Sequence, residues 1–269
     1  MKILFTDLDG TLLNNKSLIS ETTRKALDCM TQAGNLLVLS SGRPLDSILE
    51  VKNLAGLHYP NTYIIAYNGS LIYDCDRKEN IYELRLKPDE VSFVWQLAKL
   101  HNLHIQTYTD SEIISALEDK EVMYYRERIH LPLILSDSPL SVLQKPPFKL
   151  LAIDLHEKKH LTFFSDALLT HYHDKLTTVF SNDQYLEIFA KESGKGNALK
   201  KLCDLLSIPV SNSYASGDAL NDLSMLQAAG HSIAMKNGDP ALFKYAQIIT
   251  PHTNDEDGLA EIIMQHLTT

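Results

Sequence analysis

The sequence predicts an α/β fold built on a parallel sheet, with an α+β domain inserted into it. Short apolar runs alternate with helical patterns in the first third of the chain, the same alternation returns in the last third, and the stretch between them has a less regular texture. Strands that alternate with crossover helices are typical of parallel sheets. We therefore expect a core of residues 1–81 and 190–269, and an inserted α+β domain of residues 82–189.

The first third supplies a β-α-β-α-β pattern. A strand at residues 2–6 is followed by a helix that Ser20 can cap and Gly34 can end, with apolar residues recurring at three- and four-residue spacing. Leu36–Ser40 and Tyr63–Ala66 are largely apolar runs, as expected of parallel strands that are buried on both faces. Ligands of such sheets bind beyond the carboxyl ends of the strands, so polar residues at those ends are the functional candidates.

The remaining elements follow from the same patterns. In the last third we expect a helix at 197–206, a strand at 213–216, a helix at 222–229, strands at 232–235 and 247–250, and a final helix that ends near His266. In the inserted domain we expect helices at 88–101 and around 161–171, strands near 103–107 and 148–155, and a loop at 135–147.

Composition and charge disfavour several classes of protein. The chain has 269 residues, 44% of them hydrophobic, and no apolar run approaches the roughly 20 residues of a membrane helix. With 25 Lys and Arg against 34 Asp and Glu the net charge is −9, which disfavours nucleic acid and anionic membranes, because clustered cations bind both. Three cysteines without Cys-x-x-Cys spacing, and an N-terminus too polar for a secretory signal, favour the reducing cytoplasm. We expect a small-molecule partner and a monomer or small homo-oligomer.

Two carboxylates follow the first strand, in the segment Asp7-Leu8-Asp9-Gly10-Thr11. Side chains two residues apart beyond a strand end can point into one cleft, where like charges repel unless a cation joins them. Gly10 permits an unusual backbone turn, and Thr11 offers a hydroxyl and an amide to an anion. Taken alone, the segment is as typical of a turn capped by Asp side chains as it is of such a binding cleft.

Further polar residues stand at the ends of other predicted strands and at one helix start. Each could serve locally as a helix cap, a hairpin turn or a solvated lysine, but together they gather carboxylates, a hydroxyl, an amide and cations at one edge of the sheet. Such an edge suits phosphoryl transfer, in which carboxylates hold Mg²⁺, one carboxylate attacks phosphorus and another acts as the acid. The residues are Ser41, Gly42 and Arg43, Asn68 before Gly69, Lys195 between two glycines, and Asp218, Asn221 and Asp222.

These motifs resemble those of the haloacid dehalogenase-like phosphohydrolases, in particular the Cof-type subfamily, whose Rossmann-like core carries a large α+β cap. The segment Asp7 to Thr11 is similar to the first motif of that family, Ser41-Gly42-Arg43 to the second, Lys195 to the third, and residues 217–222 to the fourth. Asn68-Gly69 and residues 234–238 and 254–258 match as well. The inserted segment falls where that subfamily has its cap.

The resemblance implies a role for each residue. Asp7 is expected to be the nucleophile, and Asp9 the general acid and then the base that activates water. Mg²⁺ is expected on the Asp7 carboxylate, the Asp9 backbone carbonyl and Asp218. The other expected roles are phosphoryl binding by Ser41 and Lys195, support of the metal through water by Asp222, ordering of that loop by Asn221, phosphate binding by Thr11 and Gly42, and a place near the substrate or the cap for Arg43 and Asn68.

The resemblance favours a magnesium-dependent phosphatase of small metabolites, such as sugar phosphates or pyridoxal phosphate, that works through an aspartyl-phosphate. Two alternatives stay open: a phosphomutase, which would need a bisphosphorylated activator, and a catalytically silent binding or regulatory protein. Asp9 favours hydrolysis because it supplies a base for water, and the intact set of Asp7, Asp9, Lys195 and Asp218 argues against a silent protein. The cap is expected to set substrate specificity.

One further motif, His156-Glu157-Lys158-Lys159-His160, matches the zinc-protease pattern His-Glu-x-x-His. That pattern requires the middle of a helix, whereas a strand is predicted directly before these residues. We therefore expect a polar turn that leads into a helix, rather than a zinc site.

Overall fold

The computed structural model describes residues 1–109 and 111–268, which divide into two compact units. The core unit is Met1–Glu83 with Gly194–Thr269, and the inserted unit is Leu84–Ser193. The strands are β1 Ile3–Thr6, β2 Leu36–Ser40, β3 Tyr63–Ala66, β4 Leu71–Asp74, β5 Glu79–Glu83, β6 His104–Tyr108, β7 Ile113–Ser115, β8 Leu133–Leu135, β9 Lys149–Ile153, β10 Leu176–Asn182, β11 Tyr185–Ala190, β12 Ser213–Gly217, β13 His231–Ala234 and β14 Ile248–Ile249. The helices are α1 Glu21–Gln32, α2 Leu45–Leu54, α3 Pro88–Leu100, α4 Lys120–Ile129, α5 Lys158–Tyr172, α6 Lys195–Leu205, α7 Leu223–Ala228, α8 Pro240–Phe243 and α9 Gly258–His266.

The core unit is built on one sheet with the strand order β14-β13-β12-β1-β2-β3-β4-β5. The strands from β14 to β3 are parallel, and β4 and β5 add an antiparallel hairpin at one edge. Every residue of the central strand β1 is buried. The carboxyl ends of β1, β2, β3, β12 and β13 therefore lie at the same edge of the sheet, and the predicted α/β class with a parallel sheet is confirmed.

Helices cover both faces of this sheet. The residues of α6 and α7 pack with Phe5 and Val38 in one apolar cluster. Ala215 belongs to that cluster, whereas its neighbour Tyr214 contacts His266 of α9, with 6.3 Å between ring centroids. Because successive strand residues point to opposite faces, α9 lies on the other face, where α1 packs against it.

The inserted unit has a six-stranded sheet of order β10-β11-β9-β6-β7-β8, antiparallel except between β7 and β8. Helices α3 and α5 pack on one face around Trp95 and Phe164, in a cluster that includes Leu150. The neighbouring Leu151 belongs to a second cluster with Val122 of α4, so α4 covers the opposite face. Within residues 1–109 and 111–268, no helix combines the length and apolar character needed to cross a membrane.

Several limits in the structure differ from the predicted ones by a few residues. The boundary after residue 81 falls inside β5, which pairs with β4, and the boundary after residue 189 falls inside β11, which pairs with β9. Both strands complete their own sheets, so the units divide slightly later in the chain. The helix predicted at 222–229 is α7, Leu223–Ala228, and residue 222 ends the 3-10 turn Leu220–Asp222 before it. Helix α6 begins at Lys195 rather than at residue 197.

Candidate active site

Three carboxylates meet beyond the carboxyl ends of β1 and β12. Asp7 follows β1 directly, Asp218 follows β12, and Asp222 ends the 3-10 turn. One ligand atom from each of the three lies within 4.8 Å of the others. The loop keeps this shape because Asp222 Oδ2 accepts hydrogen bonds from the backbone amides of Asp218 and Ala219, each at 3.1 Å.

Lys195 supplies the positive charge of this cluster. It is the first residue of α6, its side chain is fully buried, and its Nζ donates to Asp7 Oδ1 at 2.5 Å and to Asp222 Oδ1 at 2.6 Å. Burial by itself would lower the pKa of Lys195, but Asp222 and Asp7 outweigh burial and raise that pKa above its usual range. Lys195 is therefore an ammonium ion that holds two carboxylates in place.

The cluster carries more negative than positive charge. Burial raises the pKa of the Asp7 carboxyl, Lys195 opposes that rise, and Asp222 and Asp218 add to it. Burial and the nearby Asp222 raise the pKa of Asp218 to about 6. One ammonium thus faces three carboxylates, and the excess charge and hard oxygen donors suit a divalent cation such as Mg²⁺.

The loop after Asp7 packs directly on Asp218. Gly10 has φ +78°, and a Cβ at that position would lie 2.5 Å from Asp218 Oδ2, so only glycine permits this approach. Thr11 is buried, and its Oγ1 donates to Asp218 Oδ1 at 2.9 Å. The Thr11 hydroxyl, which we expected to bind an anion, thus donates its hydrogen bond to the Asp218 carboxylate.

Asp9 and Arg43 form a two-pronged ion pair at the exposed side of the site. Arg43 donates from Nε to Asp9 Oδ2 at 2.8 Å and from one terminal nitrogen to Asp9 Oδ1 at 2.6 Å. The Asp9 side chain is 53% exposed and that of Arg43 is 33% exposed. Arg43, which we expected near the substrate or the cap, therefore forms an ion pair with Asp9, the expected general acid.

The loops after β2 and β3 and the start of α6 are in contact with one another. Asn68 donates its backbone amide to the carbonyl of buried Ser41 at 3.1 Å, and a Cβ at Gly42 would lie 3.0 Å from Asn68 Oδ1. Gly69 has φ +100°, and a Cβ there would lie 2.3 Å from the carbonyl oxygen of Gly194, the residue before Lys195.

The remaining candidate, Asn221, is half-buried within the 3-10 turn between Asp218 and Asp222.

Sequence reasoning did not assign a site role to Asn237, which follows β13 and donates from Nδ2 to the carbonyl oxygen of Gly10 at 2.8 Å. Asn237 precedes a glycine just beyond a parallel strand, which is the same local signal that marked Asn68. That signal could have identified it.

The His156 to His160 segment lies where its polar-turn interpretation placed it. The helix α5 begins only at Lys158, so the two histidines do not share a helical turn. His160 is hydrogen-bonded through Nδ1 to Asp154 Oδ2 at 2.8 Å and through Nε2 to the carbonyl oxygen of His101 at 2.9 Å. In the described part of the chain, the one cluster of three potential metal-ligating residues is that of Asp7, Asp218 and Asp222.

The chain is similar over nearly its whole length to known hydrolases and phosphatases. The family model of haloacid dehalogenase-like hydrolases matches residues 4–263. The 5-amino-6-(5-phospho-D-ribitylamino)uracil phosphatase YwtE of Bacillus subtilis is 32% identical over 295 residues, covering 100% of this chain and 99% of the relative. The phosphatase YwpJ of the same organism is 30% identical over 294 residues, covering 99% of this chain and 100% of the relative. The crystal structure of a haloacid dehalogenase-like hydrolase from Bacteroides thetaiotaomicron aligns with a TM-score of 0.85 and 31% identity, over 98% of each chain.

Proposed function

The chain belongs to the haloacid dehalogenase-like hydrolases, and on that premise we propose that it is a magnesium-dependent phosphatase of small phosphorylated metabolites. The observation that carries the proposal is the buried cluster in which Asp7, Asp218 and Asp222 surround the single ammonium of Lys195. Such a cluster is costly for stability unless a further cation neutralises it, and it sits at the ligand-binding edge of the sheet. The similarity to named phosphatases over the whole chain supports the reaction class.

The donor set fits Mg²⁺. The ion would be held by the Asp7 carboxylate, the Asp9 backbone carbonyl and Asp218, all of which are the hard oxygen donors that Mg²⁺ prefers. Asp222 would act behind them, because its two oxygens already bind Lys195 and the Asp218 loop. When bound, Mg²⁺ would neutralise negative charge on the phosphoryl oxygens.

The first chemical step is assigned to Asp7 and Asp9. An oxygen of the Asp7 carboxylate attacks phosphorus, and the bond between phosphorus and the ester oxygen breaks. Asp9 gives a proton to that departing oxygen, which leaves as an alcohol. The product on the enzyme is an aspartyl-phosphate at Asp7. Lys195 would keep the attacking carboxylate oriented, and Ser41 would help to hold the phosphoryl oxygens.

The second step reverses the role of Asp9. Its carboxylate takes a proton from water, and the water oxygen attacks phosphorus while the bond between phosphorus and Asp7 breaks. Inorganic phosphate leaves, Asp7 returns as a carboxylate, and Asp9 is protonated for the next cycle. A base at Asp9 therefore favours transfer of the phosphoryl group to water.

The proposed substrates are small phosphate monoesters of sugars, sugar alcohols or similar metabolites. The printed name of the relative YwtE describes a phosphate carried on a ribityl chain, which supports this substrate class. The inserted unit, Leu84–Ser193, is proposed to carry the residues that choose among such substrates.

The test is phosphate release from a panel of sugar phosphates, pyridoxal phosphate, nucleotides and p-nitrophenyl phosphate, with Mg²⁺ and with EDTA. Asp7→Asn should abolish release, with a loss of about 10⁴-fold or more, because the nucleophile is removed. Asp204→Asn is the matched control, since that carboxylate is exposed on α6 of the core unit and should keep full activity. Release that persists in Asp7→Asn, or that ignores EDTA, would contradict the proposal.

A further inference from the structure

A turn beyond β13 contacts both acid-bearing loops of the site. Asn237 Nδ2 donates a hydrogen bond of 2.8 Å to the carbonyl oxygen of Gly10, in the loop that carries Asp9. Two residues further on, the backbone amide of Asp239 donates a hydrogen bond of 2.7 Å to the carbonyl oxygen of Asp218. One short segment therefore fixes the loop after β1 relative to the loop after β12.

Asn237 is itself held in place, although its side chain is exposed. Its Oδ1 accepts a hydrogen bond of 2.9 Å from the backbone amide of Asn254. The side chain of Asn254 is buried, and its Nδ2 donates to the carbonyl oxygen of Leu13 at 2.9 Å. Both ends of the Asn237 amide are thus engaged, so its donor points at Gly10 before any ligand binds.

Gly10 is the point at which such a hydrogen bond has most effect. Glycine has the least restricted backbone, and the local hydrogen bond of the peptide after Gly10, from the Thr11 amide to the carbonyl oxygen of Leu8, is long at 3.4 Å. A side-chain partner on the Gly10 carbonyl therefore adds to the restraint on this peptide. The peptide before Gly10 carries the Asp9 carbonyl, and the residue after it is Thr11, whose hydroxyl holds Asp218 at 2.9 Å. A rotation at Gly10 would therefore move the Asp9 carbonyl relative to the Asp218 carboxylate.

We infer that Asn237 is a positioning residue for the divalent cation site, in which it sets the spacing between the Asp9 carbonyl and Asp218 by fixing the Gly10 peptide. It contacts neither the ion nor the phosphoryl group, and acts through the backbone of Gly10. This inference rests on the proposed function, because that function places the ion on Asp9 and Asp218.

The test measures cation affinity directly, by titrating the protein with Mn²⁺ and recording free Mn²⁺ by electron paramagnetic resonance. Asn237→Ala should weaken Mn²⁺ binding by about threefold to tenfold, the effect expected for one lost hydrogen bond. The Mg²⁺ concentration for half-maximal phosphate release should rise by the same factor, while kcat at saturating Mg²⁺ changes less than twofold. The melting temperature should change little, because the side chain is exposed.

The matched control is Asn80→Ala in β5, which also removes an exposed asparagine whose Nδ2 donates a hydrogen bond, here to Glu83 at 2.7 Å. It should bind Mn²⁺ as the wild type does. Wild-type Mn²⁺ affinity in folded Asn237→Ala would overturn the inference, and so would an equal loss in Asn80→Ala, which would indicate a general effect of losing an exposed asparagine. Failure of the proposed function has a different signature, because then the wild type itself would neither bind Mn²⁺ nor release phosphate.

Discussion

Arg43 donates a hydrogen bond to each carboxylate oxygen of Asp9, at 2.8 and 2.6 Å. The fork of a guanidinium matches a carboxylate and fixes its plane, which a single ammonium cannot do. In the proposed reaction Asp9 must instead face the ester oxygen and then water. We therefore expect Arg43 to set the direction of the Asp9 side chain, and to contact the negatively charged phosphate when a substrate binds.

The first prediction concerns this pair. Arg43→Ala should lower kcat/KM about 10- to 100-fold for alkyl phosphates, whose departing oxygen needs a proton. The loss should be several-fold smaller for p-nitrophenyl phosphate, because nitrophenolate leaves without protonation. Arg43→Lys should recover little of the loss, since lysine keeps the charge and not the fork. Steady-state kinetics on both substrates measure this, and equal losses on the two would mean that Arg43 does not act through Asp9.

The second prediction concerns the buried ammonium. Lys195→Met should lower the free energy of unfolding by about 3–5 kcal/mol at pH 8 in EDTA, because it leaves Asp7 and Asp222 as buried carboxylates without their cation. Urea unfolding measures this loss. The control is Lys200→Met on the exposed face of the same helix, which should change the value by less than about 0.5 kcal/mol. Equal effects of the two substitutions would show that the buried pairs contribute nothing specific.

The third prediction concerns pH. The folded protein raises the pKa of Asp218 to about 6, well above the ordinary value of 3.8, so between those values the folded state binds more protons than the unfolded state. The linkage relation then requires the metal-free protein to lose stability as the pH rises through about 6. In EDTA, raising the pH from about 4.5 to about 7 should therefore lower the melting temperature of the wild type relative to that of Asp218→Asn, which lacks this titration.

Mg²⁺ should have the opposite pH dependence, because it binds the carboxylate form. The rise in melting temperature on adding Mg²⁺ should be large at pH 8 and small at pH 5. A Mg²⁺ effect that is the same at both pH values would contradict the assignment of Asp218 to the cation site. Asp137→Asn should leave both pH dependences unchanged, since that carboxylate is in the inserted unit and exposed.

Elements with local determinants could be predicted from the sequence, and elements formed by distant pairing could not. Helix α1 starts after Ser20, whose side chain accepts a hydrogen bond from the amide of Thr23, and its last turn is followed by Gly34 at φ +81°, both of which are local signals. Strand β5, Glu79–Glu83, has exposed and half-buried residues and no apolar run. It is a strand because β4 pairs with it, and Ile81 and Tyr82, which pack against the core, are too short a run to predict it.

The same distinction applies to the site. Polar residues at the ends of parallel strands identified Asp7 and Asp218 as neighbours, because the sheet brings those ends together, and a lysine between two glycines at a helix start marked Lys195. The partners of Asp9 and Gly10 were not predictable in this way. Arg43 is 34 positions from Asp9, and Asn237 is 227 positions from Gly10, so these contacts depend on how far side chains reach between loops.

The last prediction separates backbone strain from loss of the site by comparing two glycines. Gly10 and Gly34 have nearly the same φ, +78° and +81°. The backbone strain from alanine should therefore lower the free energy of unfolding by a similar amount at either position, about 1–2 kcal/mol. Their surroundings differ, because a Cβ at Gly10 would lie 2.5 Å from Asp218 Oδ2, whereas nothing lies within 4 Å of a Cβ at Gly34. Gly10→Ala must therefore displace the Asp218 carboxylate or the loop that carries Asp9, and kcat/KM for phosphate release should fall about 100-fold. Gly34→Ala should lower the melting temperature without changing kcat/KM. If Gly10→Ala kept wild-type activity, the close packing of the two acid-bearing loops would not matter for the reaction.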